Sequence, residues 1–381
     1  MLNLLHLLRD AWGVVGAALA LLLAAEYLPR GIRDGMRLIR RGSAGREDPR
    51  SRADGYGGAD WLPEHLAECH RIMHVAWTPY AGHRNRPFQG RTIGIDASGR
   101  RRTVPSTTDD AARRILMFGG STLFGIGSRD AATVPSLVAA KLGARGRNVR
   151  VANCGVVSYV SAQEQIAFAE TLKCGERADV AVFFHGVNDG IAALQTGIPG
   201  WPYNAALRQR EFAILNRPGD LTRETLRAIL PSIAKRLGKA ETLGPAAGAS
   251  GDDLAAAVLN HYRATLCQIA AVGADHGTAC LFVWQPVLYG KRRMTAYEAG
   301  QAASYADDVR AFFLKLYDLR RRDGDLSARG DAVDLGGLLD ERDEPLFLDP
   351  FHLTERGNEI VADALLPHLA ALMDTDAPAR A

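Results

Sequence analysis

Four short stretches place polar, potentially reactive side chains where apolar runs end. They are FGGST around Ser121, NCGVVSYVSAQ from Asn153 to Gln163, HGVND from His185 to Asp189, and DPFH from Asp349 to His352. Ser121 has three competing readings: a phosphate-binding loop, a plain strand–turn–helix connection, and a nucleophile on a sharp turn. A phosphate-binding loop needs G-x-x-x-x-G-K-[ST]; Gly120 and Gly125 have that spacing, but no lysine follows. A dinucleotide fingerprint G-x-G-x-x-G is not supplied, and the nucleophile elbow G-x-S-x-G fails at Leu123. A plain helix N-cap is the strongest structural reading of the serine taken alone, because serine is common at caps.

The elements around these stretches decide how they are read. From Arg114 onward, apolar runs alternate with helical periodicity. Strands are expected at 114–119, 149–155, 179–186, 279–286 and 332–337, with helices between them, for instance around Ala132–Leu142 and Ser161–Leu172. That alternation predicts a three-layer α/β/α fold with a five-stranded parallel sheet covered on both faces. Ligands of such sheets bind beyond the carboxyl ends of the strands. The first three stretches stand at those ends, and Asp349 and His352 follow the fifth strand, just before an amphipathic helix. Every strand end but the fourth offers a polar group suited to acyl transfer.

Read together and in this order, the four stretches resemble the SGNH hydrolases, also called the GDSL esterase/lipase family. The resemblance covers about residues 113–373, with GVND and the late D-x-x-H its more specific pieces. It implies a flavodoxin-like fold and a serine esterase that cleaves an O-acyl ester through an acyl-enzyme. By position, Ser121 would be the nucleophile, His352 the general base and then acid, and Asp349 the residue that orients the imidazole. The oxyanion hole would comprise the N–H of Ser121, a backbone N–H of the second stretch and the amide of Asn188. Aligning Asn153 and Gln163 with the family pattern puts Ser158 at the donor position usually held by glycine; Gly155 is the alternative. The usual G-D-S reads Gly119-Gly120-Ser121, which removes an acidic residue outside the chemistry. Asp189 is expected to hydrogen-bond its own turn, and His185 to be a satisfied strand-end histidine.

The same resemblance, with the lead-in PYAGHRNRPFQGRTIGIDASGRRR, points to membrane-linked bacterial members associated with exopolysaccharide production. It implies an acylated carbohydrate or other small ester as substrate, with polysaccharide-export proteins as further partners. An O-acyltransferase using the same triad, a lipid ester or thioester hydrolase, and a non-catalytic polysaccharide-assembly protein remain the alternatives.

The N-terminal part reads separately. Residues 1–29 include an uncharged stretch from Ala11 to Ala25, bracketed by Trp12 and Tyr27 and stopped by Pro29. As a helix it covers about 22 Å, and including Leu2–Leu8 brings it to the roughly 30 Å of a hydrocarbon core. A single-pass membrane anchor is expected, with a cleavable signal peptide as the alternative. Eight arginines follow between Arg30 and Arg52, against Arg9 alone before the stretch. That asymmetry leans towards a cytoplasmic body, whereas the family resemblance leans extracytoplasmic. Residues 30–60 read as a basic juxtamembrane segment and flexible linker, and 61–110 as a lead-in with a hairpin turning at Ser98–Gly99. The hydrolase domain is expected over 111–375, with an insertion at about 190–275 that carries Trp201 and Tyr203, two rings able to stack on a sugar.

Composition narrows the alternatives. The chain has 381 residues and a net charge of +3, with no dense basic run in its folded part, so nucleic acid binding has no support. Its five cysteines are odd in number and widely spaced, with no C-x-x-C pair, which argues against a disulfide framework or a zinc ribbon. Cys69, His70 and His74 cluster, but H-E-x-x-H is absent and no further ligand is evident. Neither metal nor cofactor is expected.

Overall fold

The run VAVFFH at Val180–His185 is apolar at five successive positions, a pattern that suits a strand buried on both faces. In the computed structural model it is the central strand of the sheet. The structure describes residues 6, 11–24, 27–28, 48–205, 208–209, 211–212 and 251–374. Two units separate: residues 1–47 with 204–243, and residues 48–203 with 244–381.

In the first unit, residues 11–24 are helical. Among the described residues, no helix is long and apolar enough to cross a membrane. The expected membrane helix over 1–29 is therefore not found among the described residues, and residues 1–5, 7–10, 25–26 and 29 of that span lie outside them. So do residues 30–47 and, within the expected insertion, residues 206–207, 210 and 213–250, which include most of the loop LGPAAGASGDD.

The second unit carries the sheet. Its strands are β1 (Arg113–Gly119), β2 (Val149–Asn153), β3 (Val180–His185), β4 (Ala279–Trp284) and β5 (Ala332–Asp334), all parallel in the order β2-β1-β3-β4-β5. All five expected strands are present, ending one to three residues earlier than the apolar runs wherever those runs extend into the following loop. The helices that matter below are α1 (Leu62–Ile72), α2 (Ser121–Phe124), α3 (Val134–Ala144), α4 (Ser161–Lys173), α5 (Val187–Thr196), α6 (Gly251–Asp275), α7 (Ala296–Ala302), α8 (Asp307–Arg322) and α9 (Glu355–Asp374), with a further short helix at Gly324–Ala328. Helices α3 and α9 pack together over β2 and β3, while α4, α6 and α8 form the opposite layer. Between the layers, Phe118, Phe183 and Phe282 stack in sequence with centroids 5.2 and 5.6 Å apart. The three rings fix neighbouring strands in register while burying large apolar surface.

The stretch expected to be a linker differs from the prediction. From Asp48 onward the chain is folded on the α/β body. Ala53 is buried with Leu62, Leu66 and Leu348. The Tyr56 hydroxyl donates to the Gly127 carbonyl and accepts the Glu355 N–H at 3.1 Å. Glycine, arginine and aspartate made this segment look soluble and loose; Tyr56 and Trp61 supply the buried contacts that composition alone hid. Helix α1 follows, its inner face formed by Leu62, His65, Leu66, Cys69 and Ile72, the spacing of an amphipathic helix.

The expected hairpin forms, with the Asp96 N–H on the Arg100 carbonyl at 2.9 Å, and it delivers Arg101 into the interior. Arg101 is 2% exposed. Its Nε donates to Asp130 at 3.0 Å, Nη1 to the carbonyls of Phe124 and Gly125 at 2.9 and 2.6 Å, and Nη2 to Ser128 at 2.5 Å. Burial pulls this guanidinium below its usual range and Asp130 opposes the shift. Arginine remains charged under such conditions, so the cation is matched by its carboxylate and carbonyls. Arg101→Met would leave Asp130 and these carbonyls without their donor. We expect a loss of about 3–5 kcal/mol of unfolding free energy, measured by urea denaturation with tryptophan fluorescence. A loss below about 1 kcal/mol would contradict this role.

Candidate active site

Strand β1 ends at Gly119, and the chain turns through Gly120 into the single turn α2, of which Ser121 is the first residue. As the first helical residue, Ser121 has no carbonyl within the helix for its own N–H to bond. The turn closes when the Gly125 and Ile126 N–H groups both donate to the Ser121 carbonyl at 3.0 Å, with Gly125 at φ +96°. Glycine adopts that left-handed conformation without penalty. Arg101 holds the carbonyls at the far end of the turn.

His352 and Asp349 lie on a loop pinned at several points. Residues 347 and 353 pair across it, and the Leu348 N–H bonds the His352 carbonyl at 2.8 Å. Glu298 of α7 accepts the N–H groups of Leu346 and Phe347 at 2.9 and 3.1 Å, and is itself paired with the buried Lys291 at 2.5 Å. The Thr122 hydroxyl, next to the serine, donates to the Phe351 carbonyl at 3.0 Å. That bond ties the two loops together.

The structure brings Ser121, His352 and Asp349 into one chain of contacts. His352 Nε2 is 2.8 Å from Ser121 Oγ, and His352 Nδ1 is 2.8 Å from both oxygens of Asp349. With Nδ1–H donated to the carboxylate, Nε2 is left to accept the serine proton. Asp349 Oδ1 also accepts the N–H groups of Phe351 and His352 at 3.0 and 2.9 Å. Burial alone would raise the Asp349 pKa, but His352, the Phe351 N–H and the nearby Arg50 outweigh it and hold the carboxyl below its ordinary range. The carboxylate therefore stays ionised at neutral pH, as orienting an imidazolium requires.

The oxyanion candidates separate cleanly. Ser158 lines the cleft and has φ +65°, a left-handed backbone that costs a residue with a Cβ roughly 1–2 kcal/mol. A glycine would adopt it freely, which is the physical reason a pattern places glycine here. The Gly155 N–H instead donates to Asn153 Oδ1 at 3.0 Å, and a Cβ at Gly155 would meet Phe124 N at 2.5 Å. Gly155 is thus packed against α2 and not available to the cleft. Asn188 lines the cleft, and its Nδ2 donates one hydrogen to the Tyr159 carbonyl at 2.8 Å. The bond orients the amide and leaves its second hydrogen. Gly120 makes this possible: a Cβ there would stand 2.0 Å from Asn188 Nδ2. The glycine in place of the acidic residue is therefore a steric requirement of this site, which the sequence did not disclose.

The cleft above Ser121 has a volume of about 300 Å³. Ile126, Val157, Ile191 and Ala192 supply apolar lining, with Tyr203 and Tyr305 among its other lining residues. Trp201 is not among the lining residues. The stretch expected to be a linker contributes Arg50, and the lead-in contributes Cys69, His70 and Met73, none of which sequence reasoning assigned to the site. Only the His70–Cys69 cluster drew attention, as a metal candidate; among the described residues no group of three or more histidine, cysteine or acidic side chains could hold a metal ion. Asp189 accepts the Ser161 N–H and hydroxyl at 3.1 and 2.6 Å, and His185 pairs with Glu164 at 2.9 Å; neither lines the cleft.

No family model matches the chain, and no curated protein matches it. Solved structures do. A catalytic mutant of an acetylxylan esterase from Geobacillus stearothermophilus is 12% identical over 69% of this chain and 96% of its own, at a TM-score of 0.39. A lipolytic protein of the G-D-S-L family from Veillonella parvula is 12% identical over 67% and 97%, also at 0.39. An alpha/beta hydrolase enzyme from the Lake Arreo metagenome is 17% identical over 69% and 97%, at 0.35. Similarity of this depth carries no functional argument, and the chemistry rests on the side chains themselves.

Three substitutions test the oxyanion geometry. Gly120→Ala should displace the Asn188 amide and cut kcat on a p-nitrophenyl ester by about a hundredfold, with thermal stability little changed. Ser158→Gly should keep kcat within about twofold, because the donor is the backbone, while Ser158→Val should lose activity in a conformation that branched residues resist. Equal kcat for all three variants would show that neither position shapes the hole.

Proposed function

We propose that this chain is a serine carboxylic-ester hydrolase of the SGNH type. The observation that carries the reading is the unbroken contact from Ser121 Oγ through His352 to Asp349, at the floor of a cleft lined by Asn188 and the left-handed Ser158. In this reading His352 takes the Ser121 proton as Oγ attacks the ester carbonyl. The N–H groups of Ser121 and Ser158 and the Asn188 amide receive the oxyanion. His352 then gives the proton to the leaving alcohol, and a water activated by the same imidazole releases the acid.

The substrate class we propose is a short O-acyl ester on a carbohydrate, such as an exported polysaccharide. A cleft of about 300 Å³ is at the small end for ligand sites and suits a short acyl group beside a ring. Tyr203 and Tyr305 are the lining residues whose faces could stack on that ring. Fluorophosphonate labelling of the full chain, with a chain-length series of p-nitrophenyl esters, tests the proposal. Labelling should disappear in Ser121→Ala and His352→Ala, and acetate should be cleaved at least about tenfold faster than laurate, roughly the factor that 1.4 kcal/mol of lost pocket fit would give. A folded wild-type chain that takes no label would contradict the esterase reading. A preference for laurate would contradict the short-acyl assignment.

A further inference from the structure

The segment that looked like a linker places one cation against the triad. Arg50 follows Asp48, and the two form a fork: Nε donates to both Asp48 oxygens at 3.0 and 3.2 Å and Nη2 to Oδ2 at 2.7 Å, while the Arg50 backbone N–H donates to Oδ1 at 3.0 Å. Two of the three guanidinium nitrogens are therefore held by one carboxylate. A planar guanidinium clamped in this way cannot swing freely, so the direction of its third nitrogen is fixed as well. That nitrogen, Nη1, lies 3.8 Å from Asp349 Oδ2. Both side chains are mostly shielded, 21% and 13% exposed for Arg50 and Asp48, and Arg50 lines the cleft.

We infer that Arg50 is a positioning residue of the catalytic assembly, aimed by Asp48 at Asp349 and setting how readily the Asp349–His352 couple takes up a proton. The inference rests on the esterase reading above. Its physical basis is charge. When His352 accepts a proton, a positive charge forms beside a carboxylate that already faces Arg50. The guanidinium opposes that second positive charge, and Asp48 offsets part of the opposition. With Arg50 in place, the resting couple stays ready to act as a base at lower pH, and Asp349 is held from its outer oxygen while its inner oxygen binds the loop N–H groups.

Other groups face the couple. From the N-terminal segment come Arg50 and Asp48. From α1 come Cys69 and His70, whose Nε2 is 3.3 Å from Asp48 Oδ2. From the segment between β4 and α8 come Tyr289, Tyr297 and Tyr305, each raised by burial first and by Asp349 among the charges. The tyrosines are neutral through the acid range, and His70 is the group that needs a control.

The test is the pH dependence of the fluorophosphonate labelling rate, measured on the full chain for wild type, Arg50→Met, Arg50→Lys and Asp48→Asn, each also in a His70→Gln background. Arg50→Met should move the acid limb up by about 0.5 to 1 pH unit, the size expected for removing one charge at several ångströms in a partly solvated site. Asp48→Asn leaves Arg50 uncompensated and should move the limb down. Arg50→Lys keeps the charge and should recover at least half of the Arg50→Met shift, and it serves if the methionine variant does not fold. A residue that merely pins the segment would change stability and leave the limb in place. Coincident limbs for wild type and Arg50→Met, or shifts of the same sign in Arg50→Met and Asp48→Asn, would overturn the inference while leaving the esterase reading intact. Absence of label in wild type would overturn both.

Discussion

A buried guanidinium has to be answered on every side, and Arg101 is answered by the parts of the chain that shape the nucleophile turn. Its five donors reach Asp130 and the carbonyls of Phe124, Gly125, Ser128 and, at 3.4 Å, Thr92. The Phe124 ring lies under the cation with 4.9 Å between the guanidinium carbon and the ring centroid. Asp130 is held in turn by the Gly94 N–H at 3.0 Å. The lead-in is thus part of the body: without it, the carbonyls at the end of α2 would be buried and unmatched, and the turn carrying Ser121 would have no reason to keep its shape. The cost of leaving such groups unpaired enforces the geometry more strongly than the single turn's own hydrogen bonds could.

A second buried charge does the same for the opposite loop. Lys291 and Glu298 are 3% and 0% exposed, and their pair is completed by backbone groups on both sides. Glu298 accepts two N–H groups of the loop leading to Asp349, and Lys291 donates to the Glu344 carbonyl at 2.5 Å. The two braced loops then meet at the Thr122–Phe351 bond, one residue from each partner of the 2.8 Å Ser121–His352 contact. Precision at the site comes from matched interior charges, with the aromatic stack of the sheet as the platform.

How much of this was legible follows from the range of each interaction. The five strands announce themselves as local apolar runs, and Ser121, Asn188, Asp349 and His352 stand at their ends in a recognisable order. Asp349 and His352 are three residues apart, so their pairing is local too. Arg50 could not be read, because its partner Asp349 lies at the other end of the chain and PRSRADGYGG has the composition of a loop. Alignment favoured Ser158 over Gly155, and backbone geometry supplies the physical reason to separate them: the left-handed position belongs to the serine, and the Gly155 N–H is already taken by Asn153. The need for glycine at 120 was equally hidden, since the clashing atom is the side chain of Asn188 on another strand end. At the N-terminus the apolar stretch is plain in sequence, and among the described residues no helix is long and apolar enough to cross a membrane.

The central claim is that Ser121 becomes covalently acylated, and trapping that intermediate addresses it most directly. The full chain would be mixed with p-nitrophenyl acetate, quenched in acid within milliseconds and digested with trypsin for mass analysis of the peptide from Ile115 to Arg129. The account predicts an acetyl group on Ser121, formed in a burst and lost as hydrolysis proceeds, and absent when His352 is replaced by alanine. Ester turnover with that peptide unmodified, or with the acetyl group on another residue, would contradict it.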